Sequence, residues 1–247
     1  MNALRAEGAT LREALHAEWT KLRTVPSTAW LLLTLIALTV GASALATAVV
    51  KCPASCGEDT TKLSLTGIPL GQAAVAVLAV LVMSGEYSSG MIRVTLAAMP
   101  RRITVLAAKA AVLTGAVLAA GSIAVLASVL AGQLILPGHG LSLSLADEPV
   151  LRAAAGSVLY LGLIALLSLG VAAAVRDGAV AIGVVLSLLY LFPVVAQVVT
   201  DPDWQQRLQR IGPMTAGLAI QATIGLRSLP ISPWAGLGVL AAWRWQP

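Results

Sequence analysis

The chain has 247 residues, 58% of them hydrophobic and 11% charged, with a formal net charge of +5. A soluble domain carries roughly a quarter charged residues, so this composition excludes an ordinary soluble protein and indicates an all-α integral membrane bundle. The basic excess fits loops facing anionic lipid, and because the basic residues are dispersed rather than gathered on one face, nucleic acid is not an expected partner.

Residues 1–26 read as a separate N-terminal unit. Leu11, Leu15, Trp19 and Leu22 fall on one helical face, with Arg12, Glu13, His16 and Lys21 elsewhere on the wheel. That pattern predicts an amphipathic helix lying in the interface, apolar side down. Pro26 should end it, since proline disfavours helix for the preceding residue and lacks a backbone donor.

Residues 27–247 form the membrane part. Apolar blocks of about twenty residues match a hydrocarbon core about 30 Å thick. They predict spans at about 27–50, 67–85, 103–136, 151–175 and 179–199, with a partial sixth at 231–243. "ASALATA" in the first span loosely resembles a signal-peptidase site, but the apolar run is too long for a secretory core and reads as a retained helix. The third span is longer than one crossing needs. Arg176, Asp177 and Gly178 make a tight turn, so the fourth and fifth spans should be antiparallel neighbours. The mixed segment 200–230 is too polar to cross and should lie on the surface or re-enter partway. The block 231–243 is too short to span, so the expected bundle has five full helices and an incomplete sixth.

Lysine and arginine positions set the orientation. With the N-terminus in the cytoplasm, ten of the sixteen basic residues lie inside: Arg5, Arg12, Lys21, Arg23, Arg93, Arg101, Arg102, Lys109, Arg176 and Arg244. This places Cys52 and Cys56 outside, as a short disulfide or as two free thiols. Their C-x₃-C spacing without a neighbouring histidine argues against zinc.

Chemistry-bearing motifs are missing from the sequence. There is no G-x-x-x-x-G-K-[ST] phosphate loop, no H-E-x-x-H and no G-x-S-x-G. His16 and His139 fall on opposite sides of the membrane in this topology, so no metal or other cofactor is expected. Lys109, about two turns into the third span, is expected to snorkel to the cytoplasmic interface. Gln72, Gln133 and Gln197 are read as interhelical or interfacial polar residues. The small residues from Gly115 to Ser122 are read as a close-packing surface.

The stretch Glu86 to Arg102, "EYSSGMIRVTLAAMPRR", breaks the descending helix at Ser88, Ser89 and Gly90. It then repeats Met91, Ile92, Thr95, Leu96 and Met99 on one side before Pro100. The prediction is a short helix, resting on headgroups or presented to a partner. "GEYSSGMIRVTLAAMPRRITVLAAKA" resembles the segment between the second and third helices of type-2 ABC transporter permeases of the actinobacterial kind. The matching positions are Glu86, Tyr87, Gly90, Met91, Arg93, Leu96, Pro100 and Arg102. Ser88 stands where many members carry a basic residue. "HAEWTKLRTVPSTAW" resembles that family's connecting helix at Glu18, Trp19, Lys21, Leu22 and Arg23, and "SPWAGLGVLAAW" resembles the start of its sixth helix.

The resemblance implies a half-transporter in a bacterial cell membrane, pairing with a second permease half, identical or related, and powered by a separate ABC ATPase subunit. The ATP would be used by that subunit, so this chain would not itself be an enzyme. It further implies that Glu86, Tyr87, Gly90, Arg93, Pro100, Arg101 and Arg102 couple to the ATPase, with the connecting helix as a second contact. Export is the expected direction. The chain departs from the family in its sixth helix, which motivates an alternative: a non-transporting membrane protein, either a permease remnant or an accessory subunit.

Overall fold

A computed structural model describes residues 2–50, 59–88, 90, 102–139, 147–224 and 231–243. Among these residues the regular structure is helical, without strands. Five helices are long and apolar enough to cross a membrane, and the chain is a multi-pass membrane protein of the all-α bundle class.

Helix α1 (Asn2–Thr24) leads into α2 (Pro26–Val49) through one extended residue, Val25. Pro26 occupies the first turn of α2, where its missing N–H is one of the unpaired donors in any case. The Val25 amide still bonds to the Lys21 carbonyl at 3.1 Å, so the break is a sharp elbow and not a linker. A short helix α3 (Thr60–Ser64) is capped by Asp59, whose carboxylate accepts from the Lys62 amide at 3.1 Å. It precedes α4 (Ile68–Ser88). Gly90 follows in the left-handed region at φ 69°, which suits a residue without a Cβ.

Helix α5 (Arg102–Ile135) has 34 residues and is about 51 Å long at 1.5 Å per residue, so its predicted excess length is observed. Helix α6 (Glu148–Val175) ends at Arg176, which adopts φ 61° and donates its amide to the Ala172 carbonyl. Asp177 then caps α7 (Gly178–Leu186) by accepting from the Val180 amide at 2.9 Å. Arg176 and Asp177 thus close one helix and open the next, and α6 packs on α7 as the tight turn requires.

The fifth crossing continues from α7 through a π turn (Ser187–Leu191) into α8 (Phe192–Val198). Pro193 cannot donate into the turn before it, and the helix accommodates that loss by widening. The π turn lets the Tyr190 hydroxyl donate to the Pro69 carbonyl of α4. Beyond the fifth crossing come α9 (Pro202–Ile211), α10 (Pro213–Leu218), a 3-10 turn (Ala219–Gln221) and α11 (Pro233–Trp243).

Helices α4 and α6 form the inner pair and are the most buried of the five, while α2 and the fifth crossing are the least buried. Helix α2 packs along α4 and α5, and α6 packs along both as well. The segment expected to lie on the surface or re-enter divides in two. Its first half, α9, is exposed and polar, with Arg207 over the Trp204 ring at 5.5 Å. Its second half folds back into the bundle: Ala216, Gly217, Ile220 and Gln221 are buried. Gly217 lies where a Cβ would meet the Tyr160 ring at 2.4 Å, and Gly156 lies where one would meet Ile220 at 2.0 Å. Two glycines, one on each side, therefore let this short element seat against α6.

Candidate functional site

At the end of the bundle where α4 stops and α5 begins, four charged side chains meet. Glu18 and Lys21 come from α1, Glu86 from the last turn of α4, and Lys109 from the second turn of α5. Lys109 Nζ lies 2.7 Å from Glu18 Oε2 and 3.0 Å from Glu86 Oε1. Lys21 Nζ lies 2.8 Å from Glu18 Oε1 and 2.9 Å from Glu86 Oε1. The Val82 carbonyl accepts a third, longer bond from Lys109 at 3.5 Å. Two acids face two bases, so the group is neutral in sum, which is the condition under which charges tolerate burial.

Each carboxylate spans both lysines or bridges to them, and the four residues close a ring joining three helices. Glu18, Glu86 and Lys109 are buried, while the Lys21 side chain keeps a third of its surface exposed. Burial works to lower the Lys21 pKa, but hydrogen bonds and charge attraction from Glu18 and Glu86 outweigh it and raise the pKa above its ordinary value. The ammonium is therefore held charged across the physiological range.

This arrangement corrects one expectation. Lys109 does not snorkel to the interface: α1 lies over it, packed on α5, and supplies Glu18 as its counter-ion. The face that α1 turns toward the bundle is a different one from the apolar stripe, which was expected to lie in the acyl chains. It runs through Ala14 and Glu18, both buried, to the half-buried Lys21, while Trp19 is exposed. A buried ion pair, rather than an apolar stripe, fixes the helix's rotation.

Of the residues singled out in the connecting helix, Leu22 is half-buried and Arg23 is exposed. In the other segment Tyr87 packs against the core and Gly90 is exposed. Arg102 opens α5, and only its backbone is described. Arg93, Pro100, Arg101, Cys52 and Cys56 lie outside the described residues, as does the short helix expected over 91–99.

The opposite end of the bundle holds a second polar tie. Asp59 Oδ2 accepts from the Thr223 amide at 2.6 Å and the Ile224 amide at 3.2 Å, and its Oδ1 accepts from the Thr223 hydroxyl at 2.6 Å. Burial pushes the Asp59 pKa up, but these bonds together with that from Lys62 prevail and hold it below the ordinary carboxylate value. Arg152 donates to the Ala222 carbonyl at 2.7 Å nearby. Between the two ends, the buried Tyr160 hydroxyl donates to Gln72 Oε1, bearing out the interhelical reading of Gln72.

Sequence reasoning missed the pairing of Lys109 with Glu18 and Glu86, and the Asp59 tie. A signal for the first was present: a lysine inside a span needs a counter-ion, and Glu18 and Glu86 are acids expected at that end of the bundle. Among the described residues no group of three or more metal-ligating side chains converges. No protein-family model matches the chain, and comparison with curated proteins gives no match.

Proposed function

We propose that this chain is the membrane subunit of an ATP-binding-cassette transporter of the type-2 permease kind, working as an exporter with a second permease half. A separate ATPase subunit would bind at the α1–α4 end. One observation carries this reading. The two segments on which the resemblance rests, around Glu18 and around Glu86, are far apart in sequence but meet in one ion cluster. A force applied to α1 would reach α4 and α5 through Lys21 and Lys109 without slack.

In this reading the roles of the residues divide. Glu18 and Glu86 face inward and are positioning residues, holding α1 against the spans. Among the described residues Trp19 and Arg23 are exposed and free to meet a partner, and the resemblance adds Arg93, Arg101 and Arg102 to that contact. The sequence has no phosphate loop, which fits a chain that hydrolyses nothing itself and relies on its partner. The basic residues favour a cytoplasmic N-terminus in a bacterial cell membrane, which puts the cluster on the side where ATP is found.

The test is purification in mild detergent followed by ATP hydrolysis measurements. An ATPase with a phosphate loop should accompany the chain, and Arg93→Glu should abolish its stimulation while the chain remains inserted. Equal stimulation by wild type and Arg93→Glu would overturn the assignment.

A further inference from the structure

Helix α9 does not stand clear of the bundle. The fifth crossing that precedes it, Gly178–Val198, has 21 residues and is about 32 Å long at 1.5 Å per residue. That length just covers a hydrocarbon core about 30 Å thick, so the crossing ends where headgroups begin. Helix α9 then packs back on α8. A Cβ on Gly212, which ends α9, would fall 2.9 Å from the Phe192 ring. Phe192 opens α8 and lies about 9 Å deeper than Val198, which closes it. The C-terminal end of α9 is thus held beside the crossing, at the depth where acyl chains meet headgroups.

Trp204, Leu208 and Ile211 recur at i, i+4 and i+7, which sets them on one face of α9. Leu208 is half-buried, while Trp204 and Ile211 are exposed. The helix beneath, α8, exposes Val194, Val195 and Val198, residues of a membrane span, so lipid already covers the surface that α9 adjoins. Acids and bases separate along the helix. Asp201 accepts from the Asp203 and Trp204 amides at 2.9 and 3.4 Å, and Asp203 sits in the first turn, where the helix dipole favours an acid. Arg207 and Arg210 occupy the second half. Among the described residues neither forms an ion pair, with Asp203 or with any other carboxylate. Arg207 lies over the Trp204 ring at 5.5 Å, and a guanidinium so placed still has N–H donors for an anion.

We propose that α9 is a phospholipid-binding surface, with Trp204 and Ile211 among the acyl chains and Arg207 and Arg210 on lipid phosphates. Tryptophan suits that depth because its ring is apolar and its indole N–H is polar. Arginine suits it because a long apolar stem lets the charged head reach the phosphate level. Helix α9 runs through Gly212 into α10, so lipid held here fixes the depth at which the buried residues Ala216, Gly217 and Ile220 seat in the bundle. The assignment rests on the membrane-spanning fold alone and not on the ATPase reading.

The test uses the full chain in phosphatidylcholine–phosphatidylglycerol vesicles, with Cys52 and Cys56 replaced by serine. One spin label at a time is placed at Ile211→Cys, Val198→Cys or Gln206→Cys, all exposed positions. Depth is read from the ratio of collisions with oxygen, which dissolves in acyl chains, to collisions with a water-soluble nickel chelate. The ratio at Ile211→Cys should approach that at Val198→Cys and exceed that at Gln206→Cys, on the opposite face, several-fold. Arg207→Gln with Arg210→Gln should lower it several-fold at Ile211→Cys and leave Val198→Cys unchanged. Vesicles of digalactosyl diacylglycerol, which lacks phosphate, should lower it equally with both arginines present. Millimolar inorganic phosphate should leave it unaltered. A ratio at Ile211→Cys no higher than at Gln206→Cys would put α9 in water and overturn the proposal. A label there that meets neither collider would overturn it too, since protein would then cover the face. So would a depth unaffected by losing the arginines or the lipid phosphate, or one altered by inorganic phosphate alone.

Discussion

Replacing Lys109 with methionine keeps the length of the side chain and removes its charge from the centre of the cluster. Glu18 and Glu86 would then share a single cation, Lys21, already bonded to both at 2.8 and 2.9 Å. Removing one partner of a buried ion pair costs about 3–5 kcal/mol, because the charge left behind remains desolvated. Lys21 still balances one acid here, so the loss should lie near the low end, about 3 kcal/mol. Glu18→Gln alone leaves two lysines facing Glu86 and should cost a comparable amount. The double variant leaves Lys21 and Glu86 as a neutral pair. It should therefore lose less than the two singles added together, by about 2 kcal/mol, within the range measured for residues in one network. The assay is denaturant unfolding in mixed micelles, following Trp19 fluorescence on a background lacking the other tryptophans. Additive losses, or a Lys109→Met loss under about 1 kcal/mol, would refute the reasoning, since the cluster would then not act as a unit.

Other perturbations read out the rest of the fold. Gly67→Ala forces a Cβ onto the Thr39 backbone carbonyl, which cannot rotate away, and should destabilise the bundle by about 1–3 kcal/mol in a thermal melt. Tyr160→Phe strips Gln72 of its hydroxyl partner and should cost about 1 kcal/mol, in line with interhelical hydrogen bonds in membranes. Asp59 has a depressed pKa, so its tie to residues 223–224 is complete above the unfolded aspartate value, near 3.9. That tie is lost as pH falls through the lower folded value. Protection factors at Thr223 and Ile224, which divide out the intrinsic pH dependence of amide exchange, should therefore fall below about pH 4, and Asp59→Ala should lower them at every pH. Lys21 has the opposite sign. Its contribution is intact below the unfolded lysine value, about 10.4, and fades as pH rises through its raised folded value. Protease cleavage after Arg23 should thus stay slow through neutral pH.

The crossings were legible because their signals are local. Apolar blocks, Pro26 at the elbow, and the Arg176–Asp177–Gly178 turn each act over a few residues, and the helices begin and end within a few positions of where those signals fall. The third span's extra length was legible for the same reason. What failed was anything decided by which helix faces which. The amphipathic pattern of α1 marked an apolar stripe for the acyl chains but carried no sign of which face the bundle would take, and Glu18 beside Lys109 decides that. Lys109 looked free to snorkel because nothing in its own helix shows that another helix lies over it. Gly67 and Gly71 carried no distinguishing mark among 22 glycines, since their meaning lies in how closely Thr39 approaches. The burial of residues 213–221 was hidden by their neighbours: the polar α9 dominates the composition of that window, while Gly217 and Gly156 are small enough to admit an element whose own apolarity is modest.

The central claim is that the charge cluster makes α1 part of the membrane body, so that whatever grips α1 moves the spans. Electron–electron distance measurements test this most directly, with spin labels at His16→Cys and Ile103→Cys, both exposed, in lipid nanodiscs and with Cys52 and Cys56 replaced by serine. One narrow distance distribution is expected in this background, broadening when Lys109→Met is added. A broad distribution before that change, or a narrow one that Lys109→Met leaves untouched, would contradict it.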